Sequence, residues 1–600
     1  MAEAQASEFE VQIAEPASLP VAVAHPESKP GLWLALYHLL DAQAGRILFT
    51  LLCLYVLTFS LASSFKYETY QTGYDQVYFE QALWNTSQGR FMQQSDFNYA
   101  TSVFSVDFMP GLTLFVPLYW LLPSPHSLFF IESLLLALGT LPIFWLARDK
   151  LGSRPAALGF VAVYLLNPTL EYFNLLPFNM RALGLVALLY AFYFFEKGKF
   201  WPFLGFMLLA MSTRSEVSLI VAVFGVYGLW QKVPRRFWLP PLLLGPAYFA
   251  LLFGFILPLF IQPGNMIVPP QVQPVQLSPA QLNFITGSNT IISTNYGDLG
   301  QSLPEVVINS LSKPDKTFKQ VFTLKKALYL LALLLPFGFL SLFSPRLLLF
   351  ALPIVAINLL SSRASQFDYR SHYSALLLFP LTIGAIYSVA NLLKLRLKKG
   401  VQGGKPAGGS GGVSKISSSP NSPTLQERGR FSLNGRKIVS LGSIMALLFV
   451  SLFVANFIQK NPLPAVLRDR EVQNMVAQVN RDILPYIPPE ASVASTSFLG
   501  PHLLPRQYSY AFPLALYNPP PEAMQYFLID TNAQALYLKD NSVAFGGKLP
   551  IDFVQSDGRW KLVKAVTIKG QKDKRDQPRQ IQLWQKTGPD VPPLREVKEK

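Results

Sequence analysis

The chain has 600 residues, half of them hydrophobic and 14% charged, with a mean hydropathy of +0.29. Its apolar residues fall in long runs, which excludes a string of soluble domains and points to lipid or a buried bundle. Fifty-one basic against thirty-five acidic residues give a net charge of +16, yet the bases cluster in short gaps between apolar runs, the pattern of cytoplasmic loops and not of a nucleic-acid-binding face.

Residues 1–45 open on an acidic, Pro-containing stretch without the basic start and apolar core of a secretory signal, and read as a disordered cytoplasmic tail. The first apolar run, 46–65, acts as an uncleaved anchor and holds the single cysteine, Cys53, which excludes an intramolecular disulfide. "GYDQVYFEQALWNTSQGR" (Gly73 to Arg90) follows, an amphipathic helix that mixes large aromatics with polar groups. Asp75 and Glu80 on it are about 140° apart around the helix, so they do not form a shared-proton dyad. A lone carboxylate there can act as a general base or a metal ligand, and it can equally be a solvated loop acid. "SVDFMPGL" then sets Asp107 before a Pro/Gly break, where it either faces the same cavity as Asp75 or caps the following helix. Met109 to Pro123 is short and Pro-broken, a re-entrant or interfacial piece.

Further spans are expected at 127–147, 155–168, 181–196, 200–213, 217–231, 238–261, 325–343, 346–361, 372–393 and 438–458, making about eleven with the first. "STRSEV" sets Arg214 and Glu216 between two of them; Arg214 has the fork for a lipid-linked phosphate, or the two form a local pair. The long loop 262–324 carries "NYGDLGQS", a tight turn in which Asp298 is a sugar-contact candidate and which lacks the Walker ending. "SSRASQFDYRSHYSALLLFP" is the densest polar cluster, with Arg363, Asp368, Arg370 and His372. It suits an anionic phosphosugar head or, alternatively, interfacial anchoring by Tyr and Arg. Residues 394–437 form a basic Gly/Ser-rich linker.

The tail 461–600 has no spanning run. Its helix "NMVAQVNRDILPYIP" and strands "ASVAST", "QYFLIDT", "RWKLVKAVTIKGQ" and "RQIQLWQK" predict a small α/β domain, with His502 and Arg506 as ligand candidates. Placing the basic gaps inside gives a cytoplasmic N-terminus, external loops 66–108 and 262–324, and an external C-terminal domain. No protease, lipase or dinucleotide motif occurs in a credible context.

The order of "YDQVYFEQALWNTSQGR", "DFMPGLTLFVPLYWL", "TRSEVSL", "YGDLGQS", "YRSHYSALLLFP" and "IPPEASVASTSFLGPHLLPR" before "YFLID" resembles a family of uncharacterised bacterial multi-pass membrane proteins within the GT-C glycosyltransferase group. The resemblance implies a GT-C-like helical polytopic core over 46–393, a last membrane helix at 438–458 and an inner-membrane location. It also implies a catalytic carboxylate in the first external loop, a position matched by Asp75, and a polyprenyl-phosphate-linked sugar donor used on the outer face. The chain departs from the pattern at Asp107 and Asn179, where histidine is expected. On this reading Asp75 is the catalytic base. Glu80, Asp107, Arg214, Arg363, Arg370 and His372 bind substrate, with the arginines neutralising the leaving phosphate. A divalent metal is not required; it would bind Asp75 with Asp107 or Glu80. Expected partners are the lipid-linked donor and membrane lipids, without nucleic acid. The alternatives are a lipid or polysaccharide transporter and a non-enzymatic envelope-assembly protein.

Overall fold

The computed structural model describes residues 32–95, 102–105, 107–260, 295–296, 299–300, 302–402, 435–466, 470–496, 498–512, 524–533, 536, 549–589 and 591–595. It is mostly helical with a small C-terminal sheet. Among the described residues, five helical segments are long and apolar enough to cross a membrane: Ala44–Glu68, Pro125–Leu151, Arg235–Phe260, Ala364–Lys394 and Ile438–Val466. Two bent pairs raise the number to seven: Arg154–Leu165 with Pro168–Asn174, bent by 52°, and Pro314–Val321 with Leu324–Phe337, bent by 58°. The expected spans at 181–196, 200–213 and 217–231 are helices of 16, 12 and 14 residues. At 1.5 Å per residue a 12-residue helix covers only about 18 Å, well short of the roughly 30 Å hydrocarbon thickness.

Local chemistry sets the breaks. Gly152, at φ 70°, ends the helix Thr140–Leu151, and the Ser153 hydroxyl accepts from Ala156 N to open the next, with Pro155 in its first turn. The Asn167 side chain accepts from Thr169 N in the same way and opens Pro168–Asn174 at the bend. The main core is built around the helix Arg181–Glu196, most of whose side chains are buried. Phe192 on that helix meets the rings of Phe224, Tyr227, Phe350, Phe379 and Tyr387. Large apolar side chains stay exposed on the outer helices, as lipid contact requires: Leu57 and Leu61 on one, Phe453 and Phe457 on another.

In the tail, strands β1 (Val493–Ser495), β2 (Ser509–Ala511), β3 (Tyr526–Asp530), β4 (Trp560–Lys572) and β5 (Pro578–Lys586) form one sheet of order β2-β1-β3-β5-β4. β1 runs parallel to β2 and β3, while β5 is antiparallel to β3 and β4. The sequence reading missed only β2, a three-residue strand with no pattern of its own. The sheet domain rests on the segment after the first span. Tyr67 Oη donates to Pro501 O at 3.3 Å, Gln81 Nε2 to Gln507 O at 2.7 Å, and Ser95 Oγ to Ser509 O at 2.8 Å.

Candidate functional site: an acid–arginine cluster

Two glycines let the junction 212–216 wedge into the bundle. A Cβ at Gly111 would lie 2.6 Å from Ser212 Oγ, and one at Gly184 would lie 2.6 Å from Thr213 Oγ1. Gly111 N also donates to Ser212 O at 2.8 Å. This close approach draws three segments together. Arg214 Nε pairs with Asp107 Oδ2 at 2.9 Å, and Ser215 N donates to Asp107 Oδ1 at 3.2 Å. Asp107 therefore ties its own loop to the junction and does not cap the helix that follows it.

Arg181, at the start of its helix, is 3% exposed. Its Nη2 lies 2.5 Å from Glu216 Oε1, and Arg214 Nε stands 3.7 Å from the same oxygen. The Arg181 guanidinium also lies 5.0 Å from the centre of the Tyr373 ring. Asn179 Oδ1 accepts from Arg181 N at 3.1 Å, and Asn179 N donates to Glu132 Oε1 at 3.2 Å. Asn179 thus acts as a cap that aims Arg181. Among the described residues, Arg181 Nη1 has no hydrogen-bond partner. Burial lifts the Asp107 carboxyl above its usual range against the pull of Arg214. Burial acts on Glu216 as well, but Arg181 and Arg214 outweigh it and hold that carboxyl low.

Asp75 is exposed to solvent in the first turn of the helix Asp75–Ser87. Its pKa is nevertheless raised by desolvation, and Arg363, then Arg214, then Arg181 pull it back down. The side chain is thus open to solvent while neighbouring protein removes part of its hydration. His372 stands within electrostatic reach of the same three arginines. The segment that carries Arg363 is pinned from the other side: Ser362 N donates to Asn295 O at 2.6 Å, and Ser361 Oγ to the same oxygen at 3.0 Å. Tyr296, next in the chain, is pushed up to about 12 by burial close to Glu216 and Tyr373. Asp298 lies outside the described residues.

The structure gathers Asp75, Asp107, Arg214, Arg363 and His372, and it places Glu80 and Arg370 elsewhere. Arg370 is exposed; its Nε donates to Tyr369 Oη at 3.1 Å, and its guanidinium lies over the Tyr172 and Tyr369 rings. Glu80 is 2% exposed and accepts from Tyr119 Oη at 2.9 Å and Gln76 Nε2 at 3.2 Å. His502 is stacked between Tyr67 and Tyr70 and is pushed down to about 4 by burial. The Arg506 Nη1 and Nε donate to the Ala491 and Leu503 carbonyls. Both residues hold the sheet domain together and against the core. Among the described residues, no group of three or more His, Cys, Asp or Glu side chains is placed to hold a metal ion.

Burial moves Glu80 from 4.5 up to about 7. Between those values the unfolded chain has released a proton that the folded chain still holds, so stability falls as pH rises through the window. The full difference is about 3 kcal/mol. Thermal unfolding of the purified chain between pH 4.5 and pH 8 is expected to show this decline, and Glu80→Gln to remove its share. The amide keeps the Tyr119 bond, so an unchanged slope in the variant would assign the decline to other groups.

Arg181 escaped the sequence reading. A single arginine at the head of an apolar run looks like a loop edge, and only the "STRSE" pairing signal lay near its partner. The fold and this cluster define a polytopic membrane protein with a buried acid–arginine cluster among its helices. The chain matches the family model described as "Predicted membrane protein (DUF2079)" over residues 66–566 and belongs to that family. No protein of curated function matches it.

Proposed function

We propose that the protein is an integral-membrane glycosyltransferase of GT-C type that uses a polyprenyl-phosphate-linked sugar on the outer face of the inner membrane. In this reading about eleven segments cross, with the short helices lying in a bundle thinned by its partners; the N-terminus is cytoplasmic and 461–600 is external. The observation that carries the proposal is the solvent-reachable Asp75 carboxyl with Arg363, Arg214 and Arg181 in its electrostatic neighbourhood. The acceptor hydroxyl attacks the anomeric carbon and its proton passes to Asp75. The bond from that carbon to the phosphate oxygen breaks, and the electron pair leaves with the polyprenyl phosphate. Arg214 is committed to Asp107. Arg363 has no ion-pair partner among the described residues, so it and Arg181 Nη1 are the donors left for the phosphate.

Purified protein given polyprenyl-phosphate sugars and membrane acceptor is expected to release polyprenyl phosphate. Arg363→Gln is expected to raise KM and lower turnover together, by about tenfold or more in kcat/KM, for loss of one charge-assisted contact. Absence of release from every donor in a panel of hexoses and pentoses would overturn the proposal.

A further inference from the structure

We propose that the bundle end opposite the acid–arginine cluster holds one anionic phospholipid, its phosphate between Arg154 and Arg236 and an acyl chain in the adjoining apolar groove. This reading is independent of the glycosyltransferase assignment. The helix Arg181–Glu196 carries the acid–arginine cluster at its first residue and reaches a cavity at its last, about 22 Å away at the helical rise.

That cavity has a volume of about 1240 Å³. Five bases line it: Arg148, Lys150, Arg154, Lys197 and Arg236, against the three acids Asp41, Asp149 and Glu196. Three of the bases are spoken for. Lys150 lies 2.6 Å from Glu196, Lys197 lies 2.6 Å from Asp149, and Arg148 lies 2.9 Å from Asp149. Among the described residues, Arg154 and Arg236 have no ion-pair partner. The excess positive charge selects an anion, and two guanidinium groups suit phosphate oxygens. Asp41, which also lines the cavity, is an acceptor for the hydroxyl groups of a glycerol headgroup.

A separate groove of about 610 Å³ runs beside it, lined by Leu36, Leu40, Pro155, Gly159, Val439 and Phe449 among others. The two spaces meet along the chain. Asp41 faces the charged cavity while Leu40 faces the groove, and Arg154 is flanked by Ser153 and Pro155, both on the groove. The helix Leu32–Ala42, which forms one side, leaves Leu36 and Leu39 exposed, as a helix lying at a membrane interface does. A free phosphate ion would use only the charged half. A phospholipid uses both.

Native mass spectrometry tests this on the full-length chain, taken from bilayers containing equal amounts of phosphatidylglycerol and phosphatidylcholine. Retention of one phosphatidylglycerol is expected, preferred by about tenfold or more, because two arginines act on its net negative headgroup. Arg154→Gln with Arg236→Gln is expected to erase the preference. A Cβ at Gly442, on the groove wall, meets nothing within 4 Å, so Gly442→Leu is the variant chosen to crowd the groove. That variant is expected to lose the lipid while keeping its thermal midpoint in lipid-free detergent. Equal retention of the two lipids overturns the proposal. So does displacement of the lipid by millimolar inorganic phosphate, or undiminished retention in Gly442→Leu.

Discussion

Membranes carrying Asp75→Asn are expected to transfer sugar at least about 100-fold more slowly than wild type, because an amide cannot take the acceptor proton. The substitution removes a charge and little else. Asp75 is exposed at the helix start, where loss of a carboxylate costs about 0.3–1 kcal/mol through the helix dipole. A loss of turnover with an unchanged unfolding midpoint therefore reports chemistry. The pH profile sharpens the test. A base works only when deprotonated, so activity rises with pH through the Asp75 pKa, which desolvation by the neighbouring protein holds above the usual carboxylate range. Arg363 is the largest charge opposing that shift, so Arg363→Gln is expected to move the acid limb to higher pH. Undiminished transfer by Asp75→Asn sinks the assignment of Asp75 as base, while the limb staying in place in Arg363→Gln separates the two residues.

The second large effect is structural. Arg181→Met is expected to destabilise the folded chain by about 3–5 kcal/mol, since it strips Glu216 of its nearest partner in a buried site. Arg214, 3.7 Å from the same oxygen, softens the loss toward the lower figure. Glu216→Leu alone is expected to cost a similar amount, because Arg181 is then buried beside Arg214 with only Asp107 to offset the two. The double variant is expected to recover much of what either single change loses, since it removes both charges and leaves the Asp107–Arg214 pair intact. Thermal unfolding of the four proteins closes the cycle. Strict additivity would show that Arg181 and Glu216 do not act as a pair.

Much of the fold could be read from the chain. The five long apolar segments stand where the sequence places them, and four of the tail's five strands do too. Length and composition carry that information directly, because a helix that meets lipid must be apolar and long. The helices expected at 181–196, 200–213 and 217–231 are present, while the bends at Asn167 and Thr323 and which of the short runs cross were not legible, since apolarity alone does not separate a lipid-crossing run from one buried among other helices. Helical geometry separated Asp75 from Glu80 before any coordinates: one faces solvent, the other is buried against Tyr119. Sequence density grouped Arg363 with Arg370, and that grouping misled, because the irregular turns between them send Arg370 to Tyr172 and Tyr369.

Apolar runs and the helical repeat already show a membrane chain, polar chemistry gathered in the gaps between those runs, and Asp75 standing apart from Glu80. Those properties follow from composition and from the helical repeat, which are local. Folding brings Asp107, Arg181, Arg214 and Glu216 into one network and sets Arg363 within electrostatic reach of Asp75. These residues come from separate segments, Asp107 and Arg214 lying 107 positions apart and Asp75 and Arg363 lying 288 apart. Their charges meet because glycines at 111 and 184 leave room for residues 212 and 213, a steric fact that no single segment contains.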